Sequence, residues 1–95
     1  MKLATLREGG RDGTLIVVSR DLTRAVRGDG LAATLQWALE TWSVVADALA
    51  ELSSALNDNR AEGWFELDVA ALAAPLPRAY QFLDGSAYLA HVERV

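Results

Sequence analysis

Cysteine is absent from these 95 residues. That excludes disulfides, thiolate metal sites and a cysteine nucleophile, and it suits a reducing cytosol. Histidine occurs once, as His91, so a metal site built from several imidazoles is excluded as well. Proline occurs only at Pro75 and Pro77, and no low-complexity tract interrupts a composition that is 52% apolar and 23% charged, so a folded domain is expected rather than disorder. Cations are also few. Nine Lys and Arg stand against 13 Asp and Glu for a net charge of −4, and they are scattered from Lys2 to Arg94. Nucleic-acid binding relies on a concentrated basic face, so no nucleic-acid partner is expected.

Long apolar runs are missing too. The longest uncharged stretches, 31–39 and 69–77, fall far short of the roughly 20 residues that span a bilayer. Arg7 and Glu8 interrupt the first ten residues before the apolar core of a secretory signal can form. No membrane partner and a cytoplasmic location are the expectations. A chain this short is one small domain, with little room for a complete catalytic pocket.

What the chain does have is two kinds of periodicity. Residues 2–7, "KLATLR", and 14–19, "TLIVVS", read as strands, the second rich in β-branched residues. Between them Gly9, Gly10 and the Asp12-Gly13 pair offer the positive φ values that a reversal needs, which predicts a hairpin. A third strand over 22–26, "LTRAV", after a tight turn at Arg20 and Asp21, completes an antiparallel meander. From about Ala32 the period changes. Leu35, Ala38, Leu39, Trp42, Val45, Ala46, Leu49, Leu52 and Leu56 recur every three or four residues, predicting one long amphipathic helix of roughly 35 Å, with Thr34 or Asp29 as its cap and "NDNR", 57–60, as its end. Residues 63–68, "GWFELD", predict a short strand that extends the sheet, and the following segment allows about one helical turn before Pro75 and Pro77 impose extended backbone. Beyond them, a strand, a turn at Asp84-Gly85 and the start of another element are expected. The fold class is therefore α+β, a small antiparallel sheet packed by one long amphipathic helix.

Chemistry is sparse. His91 is the one side chain whose ordinary pKa lies near neutrality, the range general acid–base catalysis prefers. A lone histidine near the end of a chain nevertheless reads first as a solvated surface residue. His91 with Glu93 supplies two ligands at most, fewer than a metal site needs. Asp12, Asp21 and Asp29 stand in turn contexts, where aspartate binds its own backbone. The glycines of 9–13 precede a strand and lack the Gly-Lys-Ser/Thr of a phosphate loop, and Ser19, Ser53, Ser54 and Ser86 lack a nucleophile-elbow setting. Trp37 and Trp42 diverge by about 140° on a helix. Trp42 joins the apolar stripe, while Trp37 and Val44 flank it and are suited to cover neighbouring structure.

The segment "APLPRAYQFLDGSAYLAHVERV" resembles the junction of fumarylacetoacetate hydrolase family proteins, in which an Ala/Pro-rich connector leads through a strand to a Gly-x-Asn-Tyr-x-x-His type motif. The matching residues are Gly85, Tyr88 and His91. The opening "MKLATLREGGRDGTLIVVSRDLTRAV" and "TLQWALETW" are similar to the N-terminal domain of a bacterial subgroup of that family, so the resemblance covers essentially the whole chain. Ala87 stands where the commoner motif has Asn, Ala90 where many members have Asp, and Arg94 where Glu is frequent.

The resemblance implies a parent enzyme that hydrolyses a carbon–carbon bond in a diketo acid, with a divalent cation, Mg2+ or Ca2+, held by carboxylates. It implies His91 as the catalytic base that activates water and Tyr88 as a substrate-binding residue. In the family the metal-binding Glu-x-Glu and a later Asp lie downstream of the motif, so residues 1–74 are expected to form the N-terminal domain and 75–95 the connector and start of a catalytic domain that is otherwise absent. Alone, the segment is expected to be inactive scaffolding without a cofactor. Its implied partners are its own C-terminal catalytic domain and a second copy in a homodimer. The alternative from the residues alone is a free-standing dimerisation or protein-interaction module, with His91 incidental.

Overall fold

A computed structural model describes residues 1–8, 12–73 and 89–91. The β-branched and apolar segments near the N-terminus form three strands, β1 (Lys2–Leu6), β2 (Thr14–Val18) and β3 (Arg24–Arg27), paired antiparallel in chain order. This is the expected meander. Its first turn closes at Gly13, with Leu6 opposite Thr14, and its third strand begins two residues later than predicted because the Ser19–Thr23 turn takes up Leu22 and Thr23.

β2 explains the architecture. All five of its residues are buried, so both faces of the sheet are covered at its centre, as its nearly continuous apolar run requires. One face carries Leu3, Leu15, Val17 and Val26 and packs beneath the helical layer; the other carries Ala4, Ile16, Val18 and Ala25 with Leu72, flanked by Phe65 and Leu67.

The helical layer is α1 (Leu35–Glu40) followed by α2 (Trp42–Asn57), which corrects the single long helix read from the apolar stripe. Thr34 is the N-cap, its hydroxyl accepting from the Trp37 N–H at 3.0 Å, whereas Asp29 pairs with Arg27. The break falls at Thr41. Its hydroxyl and its backbone N–H both donate to the Trp37 carbonyl, at 2.8 and 3.0 Å, and its φ of −114° and ψ of 28° leave the helical region. A threonine that bonds back to the preceding turn bends a helix. The helix restarts when the Val44 N–H takes the Thr41 carbonyl at 2.8 Å. The apolar stripe continues across the break: Leu35 and Ala38 from α1, then Val45, Leu49 and Leu56 from α2, lie on the first face of the sheet. Burial of each such leucine is worth about 1.5–3 kcal/mol. α2 ends as its Asn/Asp-rich tail predicts. Asn59 takes φ +62°, and the Arg60 N–H reaches back to the Ala55 carbonyl at 2.7 Å, closing the last turn.

After the helices the chain returns to the sheet. β4 (Phe65–Glu66) adds to β3, as the "GWFELD" stretch predicts, and Val69–Ala71 forms a single 3-10 turn capped by Asp68. β5 (Leu72–Ala73) and β6 (Leu89–His91) both join the outer edge of β1. The order is β4-β3-β2-β1-β5, with β6 also on β1. The expected strand and turn over 80–86, Pro75 and Pro77 lie outside the described residues. No helix among the described residues is long and apolar enough to cross a membrane.

Candidate functional site

The outer edge of β1 is where the sequence motif meets the fold. Leu72 and Ala73 of β5 stand opposite Leu6 and Thr5, and Leu89, Ala90 and His91 of β6 stand opposite Ala4, Leu3 and Lys2. The register is consecutive. Leu89 stands one step along β1 from Ala73, so the two short strands line up as successive partners of β1. Arg7 fastens the first of them: its backbone N–H donates to the Ala71 carbonyl at 2.8 Å and its guanidinium to the Leu72 carbonyl at 3.1 Å. Antiparallel partners have Cα atoms about 4.5–5.5 Å apart, so the pairing holds the backbone of His91 that close to Lys2. Tyr88 and Gly85 lie outside the described residues, as do the burial and contacts of the His91 side chain.

Lys2 also faces Val18 across β1 and β2, at the end of the sheet that meets the last turns of α2. Its ammonium donates to the Arg20 carbonyl at 2.9 Å, and the Arg20 N–H donates to Asn57 Oδ1 at 2.7 Å. A cavity of about 290 Å³ opens there, lined by Met1, Lys2, Val18, Arg20, Ser53 and Asn57. Nothing in the sequence singles these residues out. They are spread over positions 1 to 57, and only the fold assembles them.

The adjoining turn contains the most perturbed carboxylate among the described residues. Asp21 accepts from the Ser19 hydroxyl at 2.7 Å, the Thr23 hydroxyl at 2.7 Å and the Thr23 N–H at 3.2 Å. These bonds, with the nearby Arg24 charge, lower its pKa from 3.8 to about 2. The network also holds Leu22 at φ +64°, a conformation a leucine adopts only when its surroundings enforce it. Asp21 is thus structural, in line with its turn context. Because its folded pKa lies below its unfolded one, its contribution is complete above about pH 4 and is lost as pH falls through about 2. Thermal melts from pH 5 down to pH 2 are expected to show a smaller fall in Tm for Asp21→Asn than for the unmodified chain. Equal slopes would refute the assignment.

Across β3 a shallow groove runs between Leu22, Thr23, Arg24, Trp64, Glu66 and Leu67. Arg24 is already engaged, stacked 5.7 Å from the Trp64 ring and bonded to Asn59 Oδ1, so the groove carries no unpartnered cation. On the helical layer Trp42 packs against the core, while Trp37 and Val44 are 55% and 79% exposed, the division expected from their angular positions. Among the described residues no three His, Asp or Glu side chains come together to hold a metal ion.

No curated protein matches the chain significantly. The family model described as fumarylacetoacetase N-terminal domain 2 matches residues 1–78, which take in the meander, both helices, β4 and β5. The chain therefore belongs to the fumarylacetoacetase N-terminal domain 2 family.

Proposed function

We propose that this chain is the N-terminal domain, 1–74 with a connector from 75, of a larger enzyme that hydrolyses a carbon–carbon bond in a diketo acid. The observation that carries the reading is the family match over residues 1–78. The motif of Gly85, Tyr88 and His91 supports it. In this reading His91 takes a proton from the attacking water, Tyr88 contacts substrate, and the meander with its helices is the platform for both. β6 fits such a role, since a base anchored through strand pairing to β1 has a fixed backbone from which to work. The partners are the enzyme's own catalytic domain and, in a cytoplasmic homodimer, a second copy. Exposed Trp37 and Val44 supply apolar surface for one of these contacts.

The Mg2+ or Ca2+ of the parent enzyme would polarise substrate oxygens. The described carboxylates do not cluster to hold it, and in this reading its ligands belong to the catalytic domain. The same surface favours a second reading, a free-standing interaction module that dimerises through Trp37 and Val44.

Purified separately, the 95-residue chain is expected to show no cleavage of a diketo acid such as fumarylacetoacetate, while the parent enzyme with a divalent cation turns it over. Turnover by the chain alone would overturn the platform role. A parent that binds but never cleaves such acids would overturn the hydrolase reading.

A further inference from the structure

The cavity between the end of the sheet and the last turns of α2 is chemically one-sided. Among the described residues its lining includes two cations, Lys2 and Arg20, and no carboxylate, in a chain whose acids outnumber its bases. The other described arginines differ from Arg20. Arg27 pairs with Glu8 and Asp29, Arg60 with Glu51 and Asp58, Arg24 stacks on Trp64, and Arg7 is bonded to a carbonyl. Arg20 has hydrogen bonds only through its backbone; among the described residues its guanidinium has no partner. The neighbouring Asp21 is committed to Ser19 and Thr23.

Two further features make this a built site. Asn57 fixes the position of Arg20, accepting its backbone N–H through Oδ1 while donating through Nδ2 to the Ser53 carbonyl at 2.9 Å. The Lys2 ammonium is held 2.9 Å from the Arg20 carbonyl, so Lys2 and the backbone of Arg20 are tied together at the same mouth. Ser53 is 93% buried, and its hydroxyl receives only a long 3.5 Å contact from Asn57, leaving its proton without an acceptor among the described residues. Polar side chains carried by a strand, a turn and a helix therefore line one concave space. An anion in this space would accept charge-assisted hydrogen bonds from the two cations.

We propose that this cavity binds a small oxyanion, a carboxylate or a phosphate, through Lys2, Arg20 and the Ser53 hydroxyl. Met1 and Val18 form an apolar wall suited to a short carbon chain. The volume, about 290 Å³, lies at the lower end of the range for ligand pockets and suits a small anion. The proposal is independent of the reaction assigned to the parent enzyme, although the cavity borders the strand position that pairs with His91.

The test is a backbone-amide NMR titration of the chain with sodium phosphate and, separately, sodium acetate, at ionic strength held constant with sodium chloride. Saturable shifts at Lys2, Arg20 and Ser53, with a millimolar Kd for either anion, support the site. Saturation by one anion alone supports it and identifies the geometry it takes. Arg20→Gln keeps the backbone bonds of the turn and is expected to weaken binding about tenfold, as is Ser53→Ala to a lesser degree, whereas Arg60→Gln leaves it unchanged. Shifts that grow linearly without saturating, or that persist undiminished in Arg20→Gln with the remaining spectrum unchanged, would overturn the proposal.

Discussion

In the proposed parent enzyme, His91→Ala is expected to lower kcat/KM by about 10²–10⁴-fold, the usual contribution of a positioned general base. The variant should remain folded. β6 is held to β1 by backbone pairing, which alanine preserves, and the core clusters on both faces of the sheet are built from Leu3, Leu15, Ile16, Val18, Leu49, Leu56 and their neighbours. The pH profile separates a base from a residue that matters only for packing. A general base acts in its neutral form, so the unmodified enzyme should lose kcat/KM as falling pH protonates that base. His91→Gln retains hydrogen-bonding capacity but no titration. It should be slow at every pH and lack that acidic limb. An alanine variant with full activity, or a glutamine variant with the original pH profile, would remove His91 from the chemistry and leave it a residue of the β1 edge.

The local elements were legible in the sequence because each is dictated by near neighbours. β1, β2 and their hairpin follow from two apolar segments around Gly13, and Thr34 caps a helix because a hydroxyl there reaches the N–H three residues on. The helix break is different. The apolar stripe runs unbroken from Leu35 to Leu56, so periodicity reports a continuous helix, while the interruption depends on which acceptor the Thr41 hydroxyl chooses. The pairing of β5 and β6 with one edge was also hidden. Strands of two and three residues carry almost no pattern of their own, and their register is set by β1, more than 65 residues earlier. For the candidate site, the motif drew attention to His91 and Tyr88, and the fold shows the first at the β1 edge. The cation-lined cavity had no sequence signal, since Lys2, Arg20 and Ser53 meet only because β1, the 19–23 turn and α2 converge.

Substituting alanine at three glycines should separate backbone strain from steric conflict, with the largest loss at Gly13. Gly30 has no neighbour within 4 Å of an added Cβ, so Gly30→Ala is expected to change stability by no more than about 0.5 kcal/mol. Gly63 also has open space but sits at φ +75°, where an L side chain costs about 1–2 kcal/mol. Gly13 combines φ +69° with contact. Its added Cβ would lie 2.3 Å from Thr5 Cγ2 and 2.7 Å from the Leu6 carbonyl oxygen. Thr5 is fully buried and β-branched, so its methyl cannot swing away cheaply, and Leu6 is the residue paired with Thr14 at the mouth of the hairpin. Relief requires the β1–β2 register to open at its closed end. Adding an overpacking cost of about 1–3 kcal/mol to the left-handed penalty gives a loss of about 2–5 kcal/mol. For so small a domain this approaches the whole folding free energy. Urea denaturation followed by tryptophan fluorescence should therefore rank the midpoints Gly30→Ala above Gly63→Ala above Gly13→Ala. Equal midpoints for the last two would mean that Thr5 and the Leu6 carbonyl yield freely, and that the hairpin is held by conformation at residue 13 rather than by the fit of its backbone against β1.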